Sequence, residues 1–130
     1  MISRTHLKRT LIQKFKLAPT AIKMERERLS LRVEKHCNGT VLNGAYRGMR
    51  LSPSGTRSVA SRGASLLGVY EQEVQKVLMK HIVNYDTFID IGAADGYHAI
   101  GLLMNSPIQN AICFEDKDVS RAAISENYSL

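Results

Sequence analysis

The ten residues FIDIGAADGY, at positions 88–97, decide the fold of this chain. The run at residues 86–91 is short, apolar and β-prone, which predicts a buried strand. Two glycines, Gly92 and Gly96, then predict a turn, because glycine tolerates backbone angles that other residues avoid. The mainly apolar residues 97–104 predict a helix directly after that turn. The stretch therefore predicts a strand, a glycine turn and a helix in succession.

The flanking sequence extends this pattern in both directions. Residues 71–84 have helical periodicity, with Glu71 and Glu73 in the first turn, where the helix dipole favours acids. Residues 110–114 predict a second buried strand, and residues 119–128 predict a final helix. Two strands joined by a crossover helix must be parallel. The order helix, strand, helix, strand, helix therefore predicts an α/β fold class, as the start of a Rossmann-like parallel sheet.

The composition limits the class of protein. The chain has 130 residues, of which 44% are hydrophobic and 23% charged, so a wholly disordered chain is excluded. No apolar run approaches the roughly 18–20 residues that a membrane span needs. Cys37 and Cys113 are too few for a disulfide framework, so we expect a reducing, cytoplasmic location.

Charge divides the chain into two regions. Residues 1–69 hold 14 basic and 3 acidic residues, a net charge of +11, whereas residues 70–130 hold 4 basic and 9 acidic residues, a net charge of −5. The split predicts a basic N-terminal region over 1–67 and a second domain over 68–130. The basic region suits RNA, another anionic partner, or the acidic half of its own chain, and a solvated basic face is the plainer alternative.

We expect the basic region to be mainly helical. Four apolar residues near its start recur at helical spacing: Leu7, Leu11, Ile12 and Phe15. Pro19 predicts a break in that helix, and a second helix then ends at Asn38 and Gly39. Residues 52–65 are rich in Ser, Gly and Arg, which predicts a loop that stays mobile unless an anionic group orders its arginines.

The turn after the first strand predicts a ligand site. Glu115 ends the second strand and lies 23 residues beyond Gly92, close to the spacing of about 20 at which an acid holds ribose hydroxyls in nucleotide-cofactor folds. The Gly-x-Gly-x-x-Gly pattern of dinucleotide sites is absent. The carboxylates of Asp90 and Asp95 would repel a pyrophosphate and suit a cationic group. This favours S-adenosylmethionine, with its sulfonium and ammonium groups, over a nicotinamide dinucleotide.

Residues 88–96 resemble motif I of class I S-adenosylmethionine-dependent methyltransferases. The pair Phe114 and Glu115 is similar to the acidic position of the second motif in that class. The segment LGVYE, at residues 67–71, is similar to a Gly-x-Tyr-Glu element that precedes the first strand in some of its families. The resemblance covers about residues 66–130.

The resemblance implies a cofactor site and leaves the catalytic residues unknown. The turn would line the methionine end of the cofactor, Glu115 would bind both ribose hydroxyls, Asp116 would flank the adenine, and two residues would close the pocket. The implied cofactor-binding residues are Tyr70, Glu71, Asp90, Gly92, Ala93, Ala94, Gly96, Glu115 and Asp116. At Ala94 the chain departs from the class, where glycine is frequent.

Each of these residues has a plainer interpretation. Asp90 could cap a helix, and Asp95 is better explained as the N-cap of the helix that starts at Tyr97. Glu115 could be a solvated strand end. His98 is only a weak candidate for a general base, and the remaining histidines form no metal-ligand set.

Two strands are too few for the seven-stranded class I sheet. We therefore expect the N-terminal portion of a longer methyltransferase, a truncated product, or a piece completed by a partner chain, inactive as 130 residues alone. The methyl acceptor is not identified by the sequence. The alternative is a non-catalytic interaction or nucleic-acid-binding fragment that retains the Rossmann-like opening.

Overall fold

The computed structural model describes residues 4–53, 55 and 57–130, with side chains from residue 19 onward. Over these residues the chain is mixed α/β, with five α-helices, a 3-10 helix and two strands. In chain order the elements are α1 (Arg4–Cys37), α2 (Val59–Leu67), α3 (Gln72–His81), the 3-10 helix (Ile82–Asn84), β1 (Thr87–Ile91), α4 (Tyr97–Asn105), β2 (Asn110–Phe114) and α5 (Asp118–Tyr128).

The two strands pair in parallel, which confirms the expected α/β order of the second half. The register places Ile89 opposite Ile112 and Ile91 opposite Phe114. Helix α4 connects the two strands, and α4 and α5 contact each other. Since both strands run the same way, their carboxyl ends meet at one edge, where the glycine turn leaves β1.

The first helix differs from the sequence prediction. α1 runs without a break through Pro19, so the expected break there is wrong. Proline costs a helix one hydrogen bond, but good helix formers such as Ala18, Ala21 and Lys23 flank it and the helix continues. The end of α1 is confirmed, with Asn38 at φ 48° and Gly39 at φ 75°. The predicted apolar face of Leu7, Leu11, Ile12 and Phe15 lies outside the described side chains.

Helix α2 occupies much of the segment that was predicted to be a loop. Ser58 caps its first turn by accepting the Ser61 N–H, and Gly68 ends it at φ 77°. A Cβ at Gly63 would lie 2.2 Å from Ser30 Oγ, so the glycine allows α2 to cross α1 closely. The prediction failed because caps and a helix crossing, rather than residue propensity, hold this helix.

The hydrophobic core draws on both sides of residue 68. Tyr46, Met49 and Leu66 from the basic region are buried with Tyr97 and Leu102 from the second half. A Cβ at Gly101 of α4 would lie only 2.3 Å from Tyr46 Cγ. The two regions therefore pack as neighbours around one core.

One face of the sheet carries exposed apolar side chains. Ile91 is 83% exposed, and three more residues of the same face are also exposed: Ile89, Ile112 and Phe114. Parallel sheets ordinarily have both faces covered, so this face is a surface onto which further polypeptide can pack. Among the described residues, no helix combines the length and apolar character that crossing a membrane requires.

Candidate functional site

The glycine turn at residues 92–96 is fixed to the end of β2 by backbone hydrogen bonds. The N–H groups of Gly92 and Ala93 both donate to the Phe114 carbonyl, at 2.8 and 3.1 Å. Gly92, Ala94 and Gly96 all have positive φ angles, of 81°, 50° and 78°. The turn therefore wraps around the carboxyl end of the sheet, where ligands bind in open α/β folds.

The backbone at Gly92 is open to a ligand. A Cβ placed there would meet no atom within 4 Å. At Gly96, by contrast, a Cβ would lie 3.0 Å from Ile100 Cδ1. Gly92 therefore borders free space on the outside of the turn, and Gly96 lies against α4 and α5. Ala94 adopts the left-handed conformation that glycine takes more readily, which explains why glycine suits this position.

The carboxylate of Glu115 joins the end of β2 to the turn. Its Oε2 accepts the Ala94 N–H at 2.8 Å, and its Oε1 accepts the Lys117 N–H at 3.1 Å. These two backbone donors lower the pKa of Glu115, so it is ionised at neutral pH. A carboxylate has about four acceptor positions. Two of those on Glu115 accept these backbone N–H groups, and the Asp116 side chain interacts with the same carboxylate.

Asp95 plays a different part from the expected one. The N-cap position of α4 is Gly96, with no side-chain cap, so the N-cap assignment of Asp95 is wrong. Its carboxylate instead accepts two hydrogen bonds from Arg57, from Nε at 2.5 Å and Nη2 at 2.6 Å. The Arg57 side chain is 9% exposed and that of Asp95 is 2% exposed. A buried carboxylate needs a partner that neutralises its charge and donates hydrogen bonds to it. A guanidinium does both, whereas the N–H groups at a helix N-terminus carry only a partial positive charge.

This pair also alters the electrostatic argument about the ligand. Arg57 neutralises Asp95, so Asp95 no longer repels an incoming pyrophosphate. The carboxylates of Glu71, Asp90 and Glu115 have no arginine or lysine partner among the described residues, although Glu71 pairs with His98. The expectation of a cationic ligand therefore rests on the carboxylates of Glu71, Asp90 and Glu115.

The Arg57 guanidinium also lies over two aromatic rings. Its Cζ lies 4.5 Å from the centroid of the Tyr70 ring and 4.7 Å from that of Tyr97. The two rings themselves meet edge to face, with centroids 5.8 Å apart. Sequence reasoning missed Arg57, because it lies 38 residues from Asp95 and nothing in the pattern links them. The surplus of arginine in residues 52–65 was the only signal.

Arg62, the second arginine of that segment, also has an acidic partner. Its Nε and Nη2 donate to the Glu34 carboxylate at 2.6 and 2.9 Å. Carboxylates of the chain itself therefore order both arginines.

Glu71 belongs to a chain of hydrogen-bonded side chains. Its Oε2 lies 2.8 Å from His98 Nε2, and His98 Nδ1 lies 2.9 Å from the Tyr46 hydroxyl. The His98 bond lowers the pKa of Glu71, and burial raises that of Tyr46. An ionised carboxylate only accepts, so in neutral His98 the Nε2–H donates to Glu71 and Nδ1 accepts from Tyr46. Since both ring nitrogens are engaged, His98 positions Glu71 and has no free lone pair for a base.

Asp90 lies half-buried in β1, in the electrostatic field of Glu71 and His98. Burial raises its pKa, and the interaction with His98 acts in the opposite direction. A half-buried carboxylate with a raised pKa gains from a cationic neighbour. A cationic group beside the turn would therefore stabilise the ionised form of Asp90.

The structure brings most of the predicted site residues together. The residues of the turn, Glu115 and the exposed Asp116 lie at the carboxyl end of the sheet, and Tyr70 and Glu71 reach the same region through Arg57 and His98. Among the described residues, no cluster of histidine, cysteine and acidic side chains could hold a metal ion. No family model, curated protein or solved structure matches this chain. Its function is therefore inferred from its own residues.

Proposed function

We propose that this chain is the cofactor-binding part of an S-adenosylmethionine-dependent methyltransferase with a Rossmann-like sheet. The observation that carries the proposal is the turn at the carboxyl end of β1, open at Gly92 and joined to the Glu115 carboxylate. An open glycine allows a ligand to approach the backbone closely, and a carboxylate there accepts hydrogen bonds from vicinal hydroxyls.

The residues present fit both ends of the proposed cofactor. Glu71 and Asp90 would attract its ammonium and sulfonium charges, and the Glu115 carboxylate would accept a hydrogen bond from its ribose. When bound, the cofactor would supply an electrophilic methyl group on a good leaving group. The chain would then contribute by orienting that group, since methyl transfer depends mostly on alignment. The methyl acceptor and the residues that touch it stay unassigned.

We also propose that methyl transfer requires further polypeptide against the exposed sheet face. The support is the apolar surface that Ile89, Ile91, Ile112 and Phe114 leave open.

The free thiols of Cys37 and Cys113 support the reducing, cytoplasmic location expected from the sequence.

The cofactor proposal is tested by two matched glycine substitutions. Gly92 and Gly48 both have positive φ angles, of 81° and 91°, and both would accept a Cβ without a contact within 4 Å. Gly92→Ala and Gly48→Ala should therefore cost similar stability, about 1 kcal/mol each. Only Gly92→Ala should weaken the binding of S-adenosylhomocysteine measured by calorimetry. Equal binding by both variants would contradict the placement of the site.

A second candidate function is RNA binding without methyl transfer. The support is a set of exposed basic side chains with no ion pair to a described residue: Arg32, Lys35, Arg47 and Arg50. Binding through phosphates should weaken steeply as salt rises. A salt-independent affinity for RNA, or none, would remove this candidate.

A further inference from the structure

We propose that Arg57 is a positioning residue that holds the turn at residues 92–96 in its ligand-binding shape. This inference rests on the proposed function, because it assigns part of the cofactor site to the basic region. The sequence indicated only that the basic region could meet the acidic half of the chain, and nothing in its pattern pointed to this turn. The contacts of Asp95, in the middle of the turn, carry the argument.

Asp95 is held through both its side chain and its backbone. Its carboxylate receives the two hydrogen bonds from Arg57, and its backbone carbonyl accepts from Asn127 Nδ2 at 2.8 Å. The Oδ1 of Asn127 in turn accepts the Ser52 N–H at 2.7 Å. Both Ser52 and Arg57 are therefore tied to Asp95, one through Asn127 and the other directly.

This attachment fixes a strained piece of backbone. Asp95 lies between Ala94, at φ 50°, and Gly96, at φ 78°. Left-handed conformations of residues other than glycine persist only where the surroundings hold them. Ala94 also directs its N–H to Glu115, the proposed ribose acceptor. If Asp95 were released, Ala94 would be free to relax and the Glu115 carboxylate would lose one of its two backbone donors.

The contacts of Arg57 require an arginine. A guanidinium can donate two parallel hydrogen bonds to one carboxylate while its carbon lies over aromatic rings, whereas the ammonium of lysine is a compact point charge without that fork geometry. Arg57 does both, between Tyr70 and Tyr97. Tyr70 belongs to the Gly-x-Tyr-Glu element, so the same side chain links that element to the turn.

The test compares Arg57→Lys with a control variant that destabilises the chain elsewhere. Ile108 is 3% exposed and lies two residues before the start of β2, at the end of the sheet opposite the turn. Ile108→Ala therefore lowers stability without touching the turn, and Ile108→Val replaces it if the alanine variant does not fold. Amide hydrogen exchange by NMR and the Kd for S-adenosylhomocysteine are measured for both variants.

In Arg57→Lys we expect the amides of Ala94 and Gly96 to exchange about tenfold faster than in the unmodified chain, beyond any change at the other amides. The Kd for S-adenosylhomocysteine should rise about tenfold. In the Ile108 variant, the amides of Ala94 and Gly96 should change their exchange rates no more than the other amides do. The Kd should stay within twofold of that of the unmodified chain. Even exchange and an unchanged Kd in Arg57→Lys would overturn the inference. If the unmodified chain does not bind S-adenosylhomocysteine, the proposed function fails, and exchange at Ala94 and Gly96 still decides the role of Arg57.

Discussion

Replacement of Asp95 by asparagine should destabilise the chain strongly. The change removes the charge from a buried pair whose side chains are 9% and 2% exposed and leaves the Arg57 guanidinium without a counter-ion. Removing one partner of a buried pair costs about 3–5 kcal/mol. Asparagine keeps one acceptor oxygen, and Tyr70 and Tyr97 still contact the cation. We therefore expect about 3 kcal/mol, which for a chain of this length lowers Tm by about 10 °C.

The assay is urea denaturation followed by circular dichroism, supported by a thermal scan. Asp118→Asn is the matched control, because Asp118 also pairs with an arginine, Arg121, but its side chain is 95% exposed. That exposed pair should contribute less than about 1 kcal/mol. A double-mutant cycle with Arg57→Met isolates the coupling between the two buried side chains. A loss below about 1 kcal/mol for Asp95→Asn, or equal losses for both asparagine variants, would refute the reasoning.

Three further substitutions test other contacts. His98 holds the pKa of Glu71 below its ordinary value of 4.5, so ionised Glu71 stabilises the fold above that pH, and this contribution is lost as pH falls through the lowered pKa. In urea unfolding measured across this pH range, the free energy of unfolding of Glu71→Gln should therefore fall less steeply towards acid than that of the unmodified chain. Burial raises the pKa of Asp90, so Asp90→Asn should raise Tm at pH 7 and weaken S-adenosylhomocysteine binding; a lowered Tm would contradict this. Gly101→Ala places a Cβ 2.3 Å from Tyr46 Cγ, and overpacking of this kind costs about 1–3 kcal/mol. An unchanged urea midpoint would show that Tyr46 can move.

The second half of the fold could be predicted because its signals are local. β1 and β2 were predicted to within one residue, since each is a short β-prone run bounded by turn or acidic residues. The bounds of α4 and α5 were also predicted to within one residue. Their parallel pairing then follows from chain geometry, because a crossover helix brings the second strand back in the same direction.

The first half could be predicted less well because distant contacts hold it. α2 depends on the close approach of Gly63 to Ser30, a contact between residues 33 positions apart, and α1 continues through Pro19 against the local preference. Propensity describes single residues and their neighbours, so neither outcome was visible in it.

In the candidate site, too, the features set by local sequence could be predicted and the contacts between distant residues could not. The turn, Glu115 and the openness of Gly92 follow from a local pattern of glycines and a spacing along the chain. The partner of Asp95 does not, because an aspartate before a helix looks like an N-cap wherever its real partner lies. The same holds for His98, whose two partners, Glu71 and Tyr46, come from separate segments.

The most direct test of the central claim is a calorimetric titration of the unmodified chain with S-adenosylhomocysteine, with NAD⁺ titrated in parallel. Because the carboxylates of Glu71, Asp90 and Glu115 in the candidate site have no arginine or lysine partner among the described residues, the account predicts saturable one-to-one binding of S-adenosylhomocysteine and no binding of NAD⁺. Binding of NAD⁺ in preference, or of neither ligand at millimolar concentration by a folded chain, would contradict it.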